Sequence, residues 1–374
     1  MRNRKYISIY LRNAKYNPSC YYRVYQYVSD LEKAGFCCKI HEAITANQYF
    51  NNLKKKNRIK DYLFKGYMYI CLYFRRLFSL LCDLWHAPEM IIVQRELFPR
   101  YMPFLIGKLY SFVIKKNRVV WDFDDNIIWE GEIAKSEKKI LEDYSVRIIV
   151  THEYLKDTLP DIYRSKVILL PTTDKKISSS LYEECVKKRI SEYDECIRVI
   201  WVGTGNNLKN LDLIIEQLDS ASEKLKNEYN KDLEFVVVSN LKYVNSDSNL
   251  TIKNVMWERD VARQLCMSSH IGIMPLYDGE FARGKGGFKL VQYLACGVPV
   301  IASDVGFNNQ IVDKTCGYIF SNDNLDMWQE AILSLALDKS KWLSKVESAL
   351  IKYENSFSYD RNVNVWKSIL RISK

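Results

Sequence analysis

The residues best equipped for chemistry lie in two glycine turns flanked by cations and in one aspartate cluster. In VIWVGTGNNLKN, the turn Gly203, Thr204 and Gly205 follows an apolar β-branched run, with Lys209 and Asn210 just beyond. A glycine turn between strand and helix can hold an anion on helix-terminal N–H groups, and Lys209 adds charge beside it. The same spelling also serves an ordinary tight turn. In RGKGGFKLVQYLACGVPVIAS, Gly284, Gly286 and Gly287 allow close backbone approach to a ligand. Arg283, Lys285 and Lys289 ring the start of the helix that follows, and Lys289 and Gln292 share one of its faces at i, i+3. A glycine-rich entrance ringed by cations suits a diphosphate; the plainer alternative is a solvated basic turn. Lys285 and Lys289 are assigned to stabilising negative charge in a transition state.

Asp122, Asp124 and Asp125 close the run VVWDFDD. Asp122-Phe-Asp124 has the spelling of a metal-binding Asp-x-Asp, but it ends a buried strand, where side chains point toward a ligand crevice. We expect acceptor binding or base duty there, keep capping of the next helix as the alternative, and assign no metal. Arg95 and Glu96 follow another strand end, MIIVQ, and are either acceptor contacts or an internal ion pair. Arg23 is either a contact for an anionic acceptor or a residue of a surface helix. His41, His86, His152 and His270 show no ligand spacing.

Alternating strand and helix patterns must position these groups. KYISIYL, CKIHEA, MIIVQ, RVVWDF, VRIIVTH and KVILLP read as strands of a parallel sheet with helices between them. Val24, Tyr27, Val28 and Leu31 fall at helical spacing, and Gly35 stops that helix. The polar segment 174–196 lacks a strand and reads as a linker with a surface helix. The alternation restarts with IRVIWVG, a helix over 208–221, LEFVVVS, NVMW, IGIMPL, a helix over 288–296 and VPVIAS, and the tail from Asp326 is helical. The expected organisation is α/β, with two Rossmann-like domains whose parallel sheets face each other across a cleft. The N-terminal acceptor domain covers 1–173, the linker 174–196 and the C-terminal domain 197–355. A helix over 356–374 packs back on the N-terminal domain.

Composition narrows the function classes. At 374 residues, with 48% hydrophobic and 27% charged side chains, the chain is globular and long enough for two cores. Residues 1–120 hold 22 Lys/Arg against 7 Asp/Glu, a net +15, while the remainder is net −5. That asymmetry points to a polyanionic partner for the N-terminal third. The stretch LKKKNRIKDYLFKGYMYICLYFRRLF (53–78) interleaves cations with aromatics. It suits a helix lying on an anionic membrane surface, or equally an amphipathic helix packed on its own domain. No nucleic-acid reading module accompanies the charge, so no nucleic-acid partner is expected. Ten cysteines without a Cys-x-x-Cys pair argue for a reduced, cytoplasmic protein rather than a disulfide or zinc scaffold. The most apolar run, GYMYICLYFRRLFSLLC, is cut by Arg75 and Arg76, and the N-terminus lacks a signal-peptide core.

Residues 197–320 resemble the C-terminal domain of retaining GT-B glycosyltransferases of family four, the glycosyl transferases group 1. The run IGIMPLYDGEFARGKGGFKLVQYLACGVPVIASDVGFNNQIV is similar to their nucleotide-sugar block, and Lys289-Leu290-Val291-Gln292-Tyr293 matches a subgroup signature K-L-x-Q-Y. VQRELFP, VVWDFDDNIIW, VTHEYL and LLPTTD are similar to the N-terminal half of such enzymes. Two glutamates of the wider family stand here as Gly284 and Gln292, and a diphosphate-binding arginine stands as Thr204. The Gly-Gly loop after the first strand is replaced by RNAKYNPSCYYR. The resemblance implies transfer of a sugar from a nucleotide-diphosphate sugar to a glycan or lipid-linked acceptor. It further implies retention of anomeric configuration, no metal and no cofactor beyond the donor itself. Gln292 would serve the ribose hydroxyls, and the implied setting is bacterial surface polysaccharide or lipopolysaccharide synthesis at the inner face of the cytoplasmic membrane. A nucleotide-sugar epimerase of the same fold and a non-catalytic relative are the alternatives.

Overall fold

A computed structural model of the chain describes residues 5–53, 58–245, 248 and 250–371. The chain forms two compact units, Met1–Thr172 with Asp360–Lys374, and Thr173–Tyr359. The first unit carries strands β1 (Lys5–Leu11), β2 (Phe36–Glu42), β3 (Met90–Gln94), β4 (Val119–Phe123), β5 (Ser145–Val150) and β6 (Val167–Leu169). They pair in the order β2-β1-β3-β4-β5-β6, every pairing parallel. The second carries β7 (Cys196–Val202), β8 (Asp232–Ser239), β9 (Ile252–Met256), β10 (Ile271–Met274), β11 (Val300–Ser303) and β12 (Gly317–Phe320). Its order is β12-β11-β10-β7-β8-β9, again all parallel.

The central strands MIIVQ and VVWDF, apolar except at Gln94 and Asp122, are buried at every position. Parallel sheets need crossover helices, and helices on both faces leave no solvent side. In each sheet the order reverses once. β1 lies between β2 and β3, and β7 lies between β8 and β10. The crevices outside the carboxyl ends of β1/β3 and of β7/β10 are therefore the places where such sheets admit ligands.

Three segments depart from the sequence reading. Residues 18–33 form not one helix but a helix Pro18–Arg23, a 3₁₀ turn Tyr25–Tyr27 and a helix Val28–Lys33, broken at Val24 with φ −134°. The expected helix 208–221 begins as a 3₁₀ segment Gly205–Leu213 and turns α-helical only from Ile215 to Tyr229. Asn207 donates to Thr204 Oγ1 (2.8 Å) and Asn210 to the Asn207 carbonyl (3.0 Å), and such local side-chain bonds compete with the α-helical ladder. Finally, 174–196 is no free linker. Its helix Ser179–Glu192 belongs to the second unit, and Arg189 is fully buried, donating to the carbonyls of Gly297 (2.8 Å), Ser269 and Cys296 (both 3.3 Å). The C-terminal helix Tyr359–Arg371 lies in the first unit from Asp360 onward, and Asn362 donates to the Pro171 carbonyl (2.8 Å) and to the Tyr27 hydroxyl (3.2 Å).

His270 shows how the second core constrains protonation. Its Nδ1 accepts from the Arg198 backbone N–H (2.9 Å), so Nε2 carries the proton and faces the Arg189 carbonyl (3.0 Å). Burial pulls its pKa down to about 4. A histidine lowered in the folded state contributes stability above its unfolded pKa and loses it as pH falls through the folded value. Stability should therefore decline between about pH 6.5 and 4 by roughly 1.4 kcal/mol per unit from this group. Denaturant titrations at pH 7.5 and 5.5 should show a smaller difference in His270→Gln than in the unsubstituted protein.

Candidate active site

At the β7/β10 crevice the two glycine loops come together. Lys285 donates from Nζ to Asn207 Oδ1 (2.5 Å), a contact that spans 78 residues of sequence. Its ammonium also sits 4.7 Å from the Phe281 ring centroid. On the other loop, Gly205 N–H donates to Asn240 Oδ1 (2.8 Å), tying the turn to the end of β8. Asn210 is buried and accepts from the Tyr277 N–H (3.2 Å), so the segment after β10 is bonded to this loop a second time. Thr204 and Lys209 are exposed on the same loop.

Lys289 is placed by what it packs on. A Cβ on Gly203 would lie 2.5 Å from the Trp201 ring and 2.8 Å from the Lys289 Cε. Glycine is what lets the lysine stem lie across the end of β7, with its ammonium 5.3 Å from the Trp201 ring centroid. Gly287 has φ +61° and a Cβ there would strike Ile311, so the entry to helix Phe288–Ala295 needs glycine twice over. Lys289 thus stands in the first turn of a helix whose N-terminus carries partial positive charge. Lys285 and Lys289, together with the loop of Gly203–Asn210, make a cationic, glycine-lined crevice on the second unit.

The other expected donor residues stand differently. Arg283 is half-exposed and forked onto Asp278, with Nε and Nη2 each 2.8 Å from a carboxylate oxygen. Gly284 is buried beside it and Gly286 half-buried. Gln292 donates to Asp174 Oδ2 (3.2 Å) and lines a small pocket with Arg263, Cys266 and Cys296.

In the first unit the carboxyl ends of β1, β3 and β4 gather six charged side chains. Arg95 reaches Asp125 (2.8 Å), Asp124 (3.3 Å) and Glu132 (2.7 Å), and Arg12 pairs with Glu96 and Glu132. Burial opposes the charge on Arg95, but the surrounding carboxylates outweigh it and hold its pKa well above the ordinary value. Burial likewise acts to raise Glu132, yet Arg95 and Arg12 bring it below the usual carboxylate range. Asp124 also accepts from Ser19 Oγ (2.7 Å), itself bonded to Gln94 (2.8 Å). Arg95 holds φ +63°, and its carbonyl accepts from the Trp121 indole N–H (2.8 Å). Of these groups Asp125 is the most open, its side chain 37% exposed.

Two expectations are overturned here. Asp122 and Arg23 are both buried and are paired with each other, Arg23 Nε lying 3.1 and 3.2 Å from the two carboxylate oxygens. Arg23 spends its remaining donors on the Leu170 carbonyl and Thr172 Oγ1. Burial raises Asp122 to about 6 against the pull of Arg23. Neither residue can meet an acceptor from solvent, because each already satisfies the other inside the core. Arg95 and Glu96, by contrast, sit within the carboxylate–arginine cluster. Arg12 and Glu132 went unnoticed in the sequence, although Arg12 directly follows β1. Asn207, which anchors Lys285, is distinguished only by following the Gly-Thr-Gly turn. Among the described residues no group of three or more His, Cys, Asp or Glu could hold a metal.

Residues 196–338, which carry the whole β7/β10 crevice, match the family model of the glycosyl transferases group 1. No curated protein matches the sequence. Among solved structures, Anabaena HepE in complex with UDP-glucose aligns at TM-score 0.63 and 11% identity over 98% of this chain and 99% of its own. A sucrose-phosphate synthase from Thermosynechococcus elongatus aligns at 0.63 and 14% identity, covering 98% of each chain. A UDP-forming α,α-trehalose-phosphate synthase from Burkholderia xenovorans aligns at 0.62 and 10% identity, also over 98% of each. The fold is thus the expected α/β fold of the GT-B type, and the chain carries a glycosyltransferase domain.

Proposed function

We propose that the chain transfers a sugar, with retention, from a nucleotide-diphosphate sugar to a glycan or lipid-linked acceptor. The working position is the inner face of an anionic cytoplasmic membrane, and the setting is surface polysaccharide or lipopolysaccharide synthesis. One observation carries the transfer reading: Lys285 bonded to Asn207, joining two glycine loops where β7 and β10 part, inside the matched domain. As the anomeric bond stretches, the leaving diphosphate gains charge, and fixed ammonium groups and helix N–H dipoles aimed at it favour that transition state. Lys285 and Lys289 are assigned that role, with Gly203, Gly205, Gly286 and Gly287 giving the phosphates room. Thr204, Lys209 and Asn210 complete the loop that holds the nucleotide, with Gln292 and Arg283 at its margin. On the acceptor side the reading uses Arg95, Glu96, Asp124 and Asp125, not Asp122 or Arg23.

UDP-glucose, the ligand of the Anabaena relative, is the first donor to try. Purified protein should melt higher with one member of a nucleotide-sugar panel and release nucleoside diphosphate from it. If no member shifts melting or is turned over, the reading fails. Turnover should also persist in EDTA, because the cations at the crevice are lysines. A strict requirement for Mn²⁺ or Mg²⁺, lost in Asp124→Asn, would return the aspartates to metal binding.

A further inference from the structure

Helix Arg58–His86 of the first unit is built inside out. Its inward face carries Arg76, Ser79 and Asp83 among Leu72 and Leu80. Arg76 donates to the carbonyls of His41 (2.8 Å) and Leu11 (2.9 Å), and Asp83 accepts from the hydroxyls of Ser8 (2.6 Å) and Tyr10 (2.7 Å). Its outward face is apolar. Leu63, Tyr67, Ile70, Phe74, Phe78, Leu81 and Trp85 recur at spacings of three and four, and all are exposed, Phe74 at 69%, Phe78 at 70% and Trp85 at 86%. The stripe runs about 33 Å at 1.5 Å per residue. A water-facing helix normally shows the opposite arrangement, and contiguous exposed apolar surface of this extent marks a contact site.

The neighbouring helix Phe104–Lys116 packs against this one and extends the same chemistry. Phe104, Leu105 and Phe112 are exposed, with Lys108 and Lys116 over the Phe104 and Phe112 rings at 4.5 and 4.2 Å. Arg58, Lys60, Lys65, Lys108, Lys115 and Lys116 are exposed on the two helices, and this second helix contains no acidic residue. Aromatic and aliphatic side chains set among cations complement an anionic lipid interface: rings enter the headgroup boundary while ammonium groups meet phosphates. No helix among the described residues is long and apolar enough to cross a membrane, so this one would lie in the interface plane. Of the basic run that first suggested a membrane, Lys54, Lys55, Lys56 and Asn57 lie outside the described residues.

We propose that the apolar stripe from Leu63 to Trp85, with the cations of the two helices, docks the protein on an anionic bilayer. This deepens the membrane position of the preceding reading and rests on it. It assigns the anchoring to the outward aromatics, with the lysines adding a salt-dependent part. The test is sedimentation of the full chain with phosphatidylglycerol/phosphatidylcholine vesicles at low and high salt. The wild-type protein should sediment. Phe74→Ser/Phe78→Ser/Trp85→Ser should lower the bound fraction about tenfold or more with melting temperature unchanged, since these side chains are exposed. Lys60→Gln/Lys65→Gln/Lys108→Gln should lower binding at low salt and flatten its salt dependence. The proposal is overturned if the wild-type protein stays in the supernatant, or if the serine variant binds as well as wild type. It is equally overturned if light scattering shows a dimer that the serine variant dissociates, because a second copy then covers the stripe. Nucleotide release from UDP-glucose without vesicles reports the transfer reading separately, so either can fail alone.

Discussion

Replacing Lys285 with alanine should lower sugar transfer on the order of 10²-fold or more while leaving the melting temperature nearly unchanged. The expectation follows from where the ammonium is held. It is fixed on Asn207 across the mouth of the β7/β10 crevice, so it needs no reorganisation when the diphosphate begins to leave. In bulk water such a charge would be fully screened and mobile; half-buried and bonded to Asn207, it is held in place and screened less. The side chain is only half-buried, so its loss removes little packing. Asn207→Ala should act in the same direction but less strongly, because it frees the lysine without removing its charge. Lys285→Arg restores charge without the same reach, and we expect partial activity. The decisive measurement is the nucleotide-release rate at saturating donor, with donor affinity read separately by thermal shift. Wild-type turnover in both Lys285→Ala and Lys289→Ala would remove the diphosphate from this crevice.

What could be read from the sequence divides along a physical line. Strands such as Met90–Gln94 and Val119–Phe123 were legible from apolar runs broken only at Gln94 and Asp122, because two-sided burial selects for β-branched and apolar residues at most positions. The glycine turns were also legible, since φ +61° at Gly287 and the close approach at Gly203 admit no other residue without strain. Partnerships with backbone carbonyls were not legible. Arg189 looked like one more cation of a polar linker, and Arg76 like a break in an apolar run. Each is buried, on carbonyls that any residue could have supplied. The same limit left the helix within 53–78 open between a membrane-facing stripe and one packed on its own domain, because periodicity marks an apolar stripe and only the packing reveals which face is covered. Arg283 was legible as a cation beside the crevice, but its fork onto Asp278 depends on a turn five residues long. Side-chain partnerships across long sequence separations were the least accessible, and Arg23 with Asp122 is the clearest case.

Arg23→Ala should destabilise the first unit by about 3–5 kcal/mol, since it strands a buried carboxylate without its counter-charge. The side chains of this pair are 1% and 0% exposed, so bulk solvent does not reach the carboxylate to replace the lost counter-charge. The Leu170 carbonyl loses its donor as well. Protonation limits the damage, and it sets a pH signature. Burial already raises Asp122 to about 6 with Arg23 present, and removing the arginine must push it higher. A carboxyl raised in the folded state contributes stability that is present below its unfolded pKa and is lost as pH rises through the folded value. In the wild-type protein that loss is complete a little above pH 6; in Arg23→Ala it continues into the neutral range. The variant should therefore lie closest to wild type near pH 5.5 and fall furthest behind it at pH 8. Asp122→Asn in the same background removes the titrating group and should flatten that dependence. A role in acceptor binding makes the opposite forecast: unchanged melting at every pH and a raised acceptor KM. Melting curves at three pH values decide between them, and a pH-independent difference would show that Asp122 is not the group left exposed to the cost.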